Sequence, residues 1–243
     1  MKITIAHLYY DLLNLYGESG NVKALKRQLE DQGIDVTIKF VTVGDELKFE
    51  DYDFVYLGMG TEENQHLALK HLITYKKEVK DAIEKKTFFL VTGNSIELFG
   101  KAILDKNRKK RKGLGCFKYT AKEEDFRMVD EALMQADFLE KPILGFQNQS
   151  SVIRDNQKPM FRVIKGIGAY PKSEGEGIHY RNFYGTYLIG PILVRNPEFL
   201  KYMTKELILS KNPKFKMKKF KLELETNAYD NFIKMHYQHV INK

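Results

Sequence analysis

The stretch that most constrains this chain is Phe88-Phe89-Leu90-Val91-Thr92-Gly93-Asn94-Ser95-Ile96-Glu97-Leu98-Phe99-Gly100. Residues Thr87 to Val91 are β-branched, aromatic or aliphatic, as a strand covered on both faces requires. The pattern breaks at Gly93-Asn94-Ser95, and a short apolar helix follows that closes on Gly100. A buried strand running straight into a helix belongs to a layered α/β fold. Such an elbow is also where several α/β enzymes expose a nucleophile, backed by the amides of a helix N-terminus. Here the tip carries Gly93 and Asn94, so the chemistry available to it is in question.

The flanking sequence supplies the rest of the layer. Lys2 to Leu8 alternates as a strand, and Val36 to Val43 does so again. Phe54 to Leu57 is a short buried strand leading into Gly58-Met59-Gly60-Thr61. Between them Ser19 or Gly20 caps a helix with Val22, Leu25 and Leu29 on one face, closed by Gly33. One amphipathic helix is expected from Glu63 to Lys85. The first hundred residues thus read β-α-β-β-α-β-α, a mostly parallel central sheet flanked by helices in flavodoxin-like fashion. Residues 116–190 hold many short β-like segments, so the second half is β-rich. Helices return after Asn196-Pro197-Glu198, and a last one covers about Ala228 to Val240. The expected organisation is an α/β domain over residues 1–205, with a helical extension over 206–243 packed on it.

Composition narrows the class. With 243 residues, 43% of them apolar, the chain can bury one sizeable core. No run reaches the eighteen or so apolar residues of a membrane span, and no leader pattern opens the chain, so a cytoplasmic protein is expected. Cys116 is the single cysteine, which excludes an internal disulfide. His7, His66, His71, His236 and His239 show no metal-ligand spacing, and neither a metal nor a cofactor is expected. The net charge of +8 gathers in Lys106 to Lys112 and in the alternating Lys214 to Lys221. The first reads as a solvated loop and the second as an edge strand guarded by lysines. No nucleic-acid module accompanies either, so no nucleic-acid partner is expected.

Several motifs together resemble a known family. They are Leu13-Asn14-Leu15-Tyr16 with Gly20-Asn21; Gly58-Met59-Gly60-Thr61 with Gln65; the elbow; Gly113-Leu114-Gly115; and Gly145-Phe146-Gln147-Asn148. To these are added Gly177-Ile178-His179-Tyr180-Arg181-Asn182 and the long block Gly185-Thr186-Tyr187-Leu188-Ile189-Gly190-Pro191-Ile192-Leu193. Over nearly all of the chain to about residue 200, this resembles the class I glutamine amidotransferases of the cobyric acid synthase type. Among them it is similar to the glutaminase subunits of lipid II isoglutaminyl synthase. The resemblance implies a cysteine thiolate at the elbow attacking the side-chain amide of glutamine, a histidine on a later strand as base, and backbone amides stabilising the oxyanion. It further implies ammonia delivered to a Mur-ligase-like partner that amidates the peptidoglycan stem peptide.

This sequence departs from that pattern at both reacting positions. Ungapped spacing puts Gly93 at the cysteine, Ile189 at the histidine, and Glu97 where a glutamine is usual. Glycine has no side chain to attack with, and isoleucine takes no proton. Ser95 is the substitute candidate, set against a plain helix-capping serine. Cys116 reads as a small core hydrophobe and His179 as a strand-packing residue. Gly58, Gly60, Asn94, Arg127 and Gln147 are the candidate remnants of a glutamine pocket. The expected function is a non-hydrolysing relative of the glutaminase subunit, paired with a Mur-ligase-like protein. An active enzyme with a displaced nucleophile and a small-molecule sensor are the alternatives.

Overall fold

The computed structural model describes residues 1–156 and 158–241. In chain order the elements are β1 (Lys2–Leu8), α1 (Ser19–Asp31), β2 (Asp35–Val41), β3 (Phe54–Leu57), α2 (Glu62–Leu72), α3 (Lys76–Glu84) and β4 (Phe88–Thr92). A 3-10 segment, Gly93–Phe99, follows β4 directly. Then come β5 (Ala102–Leu104), β6 (Lys110–Lys112), β7 (Thr120–Gln135), β8 (Ile143–Ile153), β9 (Phe161–Lys165), β10 (Gly175–Glu176), β11 (Ile178–Tyr180) and β12 (Phe183–Thr186). The chain closes with α4 (Ile192–Arg195), α5 (Pro197–Lys211), α6 (Glu223–His236) and α7 (Gln238–Ile241).

The first sheet runs β11-β12-β4-β3-β1-β2. All its neighbours are parallel except the edge pair β11–β12. Strand alternation divides its side chains between two cores. Ile3, Ile5, Phe54, Tyr56, Phe88 and Leu90 pack with Val22, Leu25 and Leu29 of α1 and with Phe199, Met203 and Leu207 of α5. Ala6, Leu8, Val55, Leu57, Phe89 and Val91 face Leu69, Leu72, Val79 and Ile83 of α2 and α3, together with Leu98 and Phe99 after the elbow. The second sheet, β10-β9-β7-β5-β6 with β8 on β7, is antiparallel apart from the β5–β7 pair. Its outer face buries Leu133 and Leu144 beneath Tyr229 of α6 and Tyr237, which lies between α6 and α7. α5 runs through residues 205 and 206 without a break.

Several local expectations are corrected. The helix expected over 63–85 breaks at the 3-10 turn Ile73–Tyr75, where the Thr74 hydroxyl donates to the His71 carbonyl (2.7 Å) and competes with the helical ladder. Glu18, not Ser19 or Gly20, occupies the cap position of α1, and its carboxylate makes no cap bond. The basic run 106–112 is only partly a loop, because Lys110–Lys112 pair antiparallel with Ala102–Leu104. Lys214 to Lys221 form no strand. Phe215, Met217 and Phe220 are drawn onto the α1–α5 core, and the buried Gln32 side chain takes the main-chain hydrogen bonds of Lys218, accepting from its N–H (2.7 Å) and donating to its carbonyl (3.2 Å).

Candidate functional site

The carboxyl ends of the parallel strands carry the candidate site, as open α/β sheets favour. Gly58 to Thr61 follows β3, Gly93 follows β4, and Tyr187 to Pro191 follows β12. Gly93 has φ +62°, the left-handed conformation in which a β-carbon is strained. Its space is filled as well: a β-carbon placed there would lie 2.4 Å from Met59 Cβ and 2.9 Å from Met59 Sδ. The strand-to-turn backbone resembles a nucleophile elbow, and the space beside the Gly93 α-carbon is taken by Met59.

The glycine loop is packed rather than open. A β-carbon at Gly58 would fall 2.3 Å from the Leu13 carbonyl oxygen, and one at Gly60 2.6 Å from that of Leu12. Asn94 and Gly60 form a reciprocal pair: Asn94 Nδ2 donates to the Gly60 carbonyl (2.9 Å), and the Gly60 N–H donates to Asn94 Oδ1 (3.3 Å). That amide is therefore satisfied within the protein instead of facing an oxyanion. Ser95 is fully buried and its hydroxyl donates to the Gly58 carbonyl (2.5 Å). It neither caps a helix nor reaches the cleft, so it is not placed as a nucleophile.

Ile189 is fully buried, and its N–H donates to the Phe146 carbonyl (2.9 Å), stitching the loop after β12 to β8. Two buried carboxyls hold that loop. Glu18 accepts from the Gly190 N–H (3.0 Å), Thr92 Oγ1 (2.5 Å) and the Tyr56 hydroxyl (2.7 Å). Glu176 accepts from Thr186 Oγ1 (2.6 Å) and the Tyr187 N–H (2.7 Å), and burial pushes its carboxyl up to about 7.

The adjoining cleft holds about 360 Å³, between the elbow, the start of α2 and the β7–β8 ribbon. Asn94 and Glu97 lie at it on the elbow side, with Gln65 of α2. Gln65 Nε2 donates to the Asn94 carbonyl (2.7 Å) and to Glu97 Oε2 (3.1 Å), and the Tyr187 hydroxyl donates to Glu97 Oε1 (3.2 Å). Burial nevertheless dominates and pushes the Glu97 carboxyl up to about 7. Arg127 stands at the rim, where the β7 register shifts between Glu123 and Met128. A bulge of this kind re-aims side chains. Arg127 donates to Asn148 Oδ1 (2.9 Å) and to Glu62 Oε1 (3.3 Å).

Of the residues expected here, Asn94 and Arg127 line the cleft, and Gly58 and Gly60 flank the lining residue Met59. Gln147 does not. It points to the other side of β8, donating to the Gly168 carbonyl (2.8 Å) and accepting from the Gly168 N–H (3.3 Å). Met59, Glu62, His66, Ser150 and Ser151 line the cleft without having been singled out as site residues. The spacing of Glu62, Gln65 and His66 on one helical face was the available signal for three of the lining residues. His66 is held below its ordinary value by burial and by the cations Lys70, Arg111 and Lys109. Among the described residues no hydrogen bond joins it to a serine. Cys116 lies at a different cavity, its thiol pushed up to about 12 by burial, and His179 stacks on Tyr184 at 4.7 Å.

A parallel sheet with a glycine elbow at its carboxyl edge and an antiparallel ribbon beside the cleft defines the class. The chain belongs to the CobB/CobQ-like glutamine amidotransferase family, whose domain matches residues 4–197. It is 31% identical over 198 residues to the lipid II isoglutaminyl synthase (glutamine-hydrolyzing) subunit GatD of Streptococcus pneumoniae, covering 80% of this chain and 76% of that protein. It is 29% identical over 227 residues to the subunit of the same name from Staphylococcus aureus, covering 93% of each. A crystal structure of a glutamine amidotransferase superposes with a TM-score of 0.53 at 16% identity, over 83% of this chain and 97% of that one, and shows the shared fold.

Proposed function

We propose that this protein is a non-hydrolysing member of its family, acting as a structural or regulatory subunit beside a Mur-ligase-like protein in lipid II amidation. The observation that carries this reading is Gly93 at φ +62° with Met59 packed into the space above it. Thioester chemistry needs a nucleophile at the elbow, and the position holds neither a side chain nor room for one. Support also comes from Ile189, which is sealed against Phe146, and from the Gly60 amide, which is engaged by Asn94. The retained scaffold and the similarity to glutaminase subunits support a partner role.

The test has two arms. Purified protein given glutamine is expected to release no ammonia above background, and the protein is expected to co-purify with a Mur-ligase-like subunit. Glutamine hydrolysis abolished by Ser95→Ala would favour the displaced-nucleophile reading. Failure to co-purify would remove the partner role. The cleft favours a small-molecule role in addition, because Glu97 and Gln65 meet at it beneath the Arg127–Glu62 pair.

A further inference from the structure

The lysine-rich segment after α5 has no role in the cleft. Residues 211–221 contain Lys211, Lys214, Lys216, Lys218, Lys219 and Lys221 and no acidic residue. The chain's net charge is +8, and this segment alone carries +6. It is anchored, not a floating tail. Phe215, Met217 and Phe220 are half-buried on the α1–α5 core, and Gln32 grips the Lys218 main chain. With the apolar side chains turned inward, all six lysines are exposed. Lys211 pairs with Asp53 and Lys219 with Glu223. Lys214, Lys216 and Lys221 enter no ion pair among the described residues.

Neighbouring features extend the same face. Lys201 and Lys205 are exposed on α5, and the Lys201 ammonium lies 5.7 Å from the centre of the Phe220 ring. Beside Lys201 and Lys205 opens a groove of about 790 Å³ that also carries Asp137, Glu140, Glu198 and Glu223, so the basic face stops at its edge. The other basic run behaves differently: Lys106, Arg108 and Arg111 lie within 3.9 Å of Glu123, Glu124 and Asp105.

We propose that residues 211–221, with the outer side of α5, form a docking face for an anionic phospholipid surface. A row of fixed lysines is attracted to such a surface within a Debye length. Phe215, Met217 and Phe220, packed against the α1–α5 core, fix the lysines in place, so the attraction is electrostatic. Single-stranded nucleic acid would instead use exposed rings for base stacking, and here Phe215 and Phe220 are packed against the core. The face shares no residue with the cleft, so the inference stands independently of the glutaminase question.

Flotation with phosphatidylcholine vesicles, with and without phosphatidylglycerol, tests it. The full chain should bind only the anionic vesicles and be released by high salt. Lys214→Gln/Lys216→Gln/Lys221→Gln should lower the partition coefficient about a hundredfold, from about fivefold per lysine. Lys109→Gln/Lys110→Gln/Lys112→Gln should change it less than about tenfold, since those lysines lie outside the face. Equal binding to neutral vesicles, or an equal loss in the second triple variant, would overturn the proposal. Displacement from vesicles by an RNA oligomer at lower concentration than by soluble phosphatidylglycerol would assign the face to nucleic acid and overturn it too.

Discussion

Gly93 and Met59 act as one packing unit. The strand-to-turn geometry asks for a left-handed residue at 93, and the methionine occupies what glycine leaves empty. Gly93→Ala should therefore destabilise the fold by about 2 kcal/mol, combining the positive-φ penalty with overpacking. Urea unfolding would measure this, and adding Met59→Ala should recover part of the loss. Glu176 gives a pH prediction of the opposite sign to that of an ion-paired carboxylate. Its folded-state value near 7 lies above the ordinary 4.5, so the native state binds more protons between those values. Its effect on stability is thus unfavourable as pH rises from about 4.5 to 7 and constant above, amounting to about 3 kcal/mol. Glu176→Gln should remove about half of the slope in that window, since Glu97 is pushed up to about 7 as well. His7, pushed down to about 4 by burial, works the other way, losing stability as pH falls from 6.5 toward 4.

At the level of elements, the site depends on how β8 and the loop after β12 are tied together. Asn196 does much of this at the start of α5. Its side chain accepts from the Leu144 N–H (2.7 Å) and donates to the carbonyls of Leu144 (2.7 Å) and Ile192 (2.8 Å). Asn196→Ala would leave those buried main-chain groups unpaired and should cost about 3 kcal/mol in thermal or urea unfolding. The parallel half was legible in the sequence because buried strands such as Phe54 to Leu57 and Phe88 to Val91 carry their pattern locally. The β7–β8 ribbon was legible only in fragments. Its register shift, which puts Arg127 at the rim, arises from pairing with a strand more than fifteen residues away. The alternating Lys214 to Lys221 pattern misled for a related reason: period-two alternation records one face buried and one wet, and a strap lying on helices satisfies it as well as a strand does. Gln147 was misplaced because adjacent β8 residues face opposite ways, and the side is set by the sheet.

On the proposed reading, the whole molecule is an amidotransferase fold whose reacting positions are filled with packing residues. Gly93, Met59, Ile189 and the Asn94–Gly60 pair each meet a structural need at a place where chemistry would need an open one. The sequence alone shows glycine at 93 and isoleucine at 189; Met59 against Gly93 and Asn94 on the Gly60 amide are visible only in three dimensions. On that reading Gly93→Cys/Ile189→His should release no ammonia from glutamine unless Met59 is also reduced to alanine. The most direct test is ammonia release from glutamine by the purified wild-type protein, alone and with the Mur-ligase-like protein proposed as its partner. The account predicts no release above the enzyme-free rate in either case. Release that scales with protein concentration and disappears on substitution of a cleft residue such as His66 or Ser151 would contradict it.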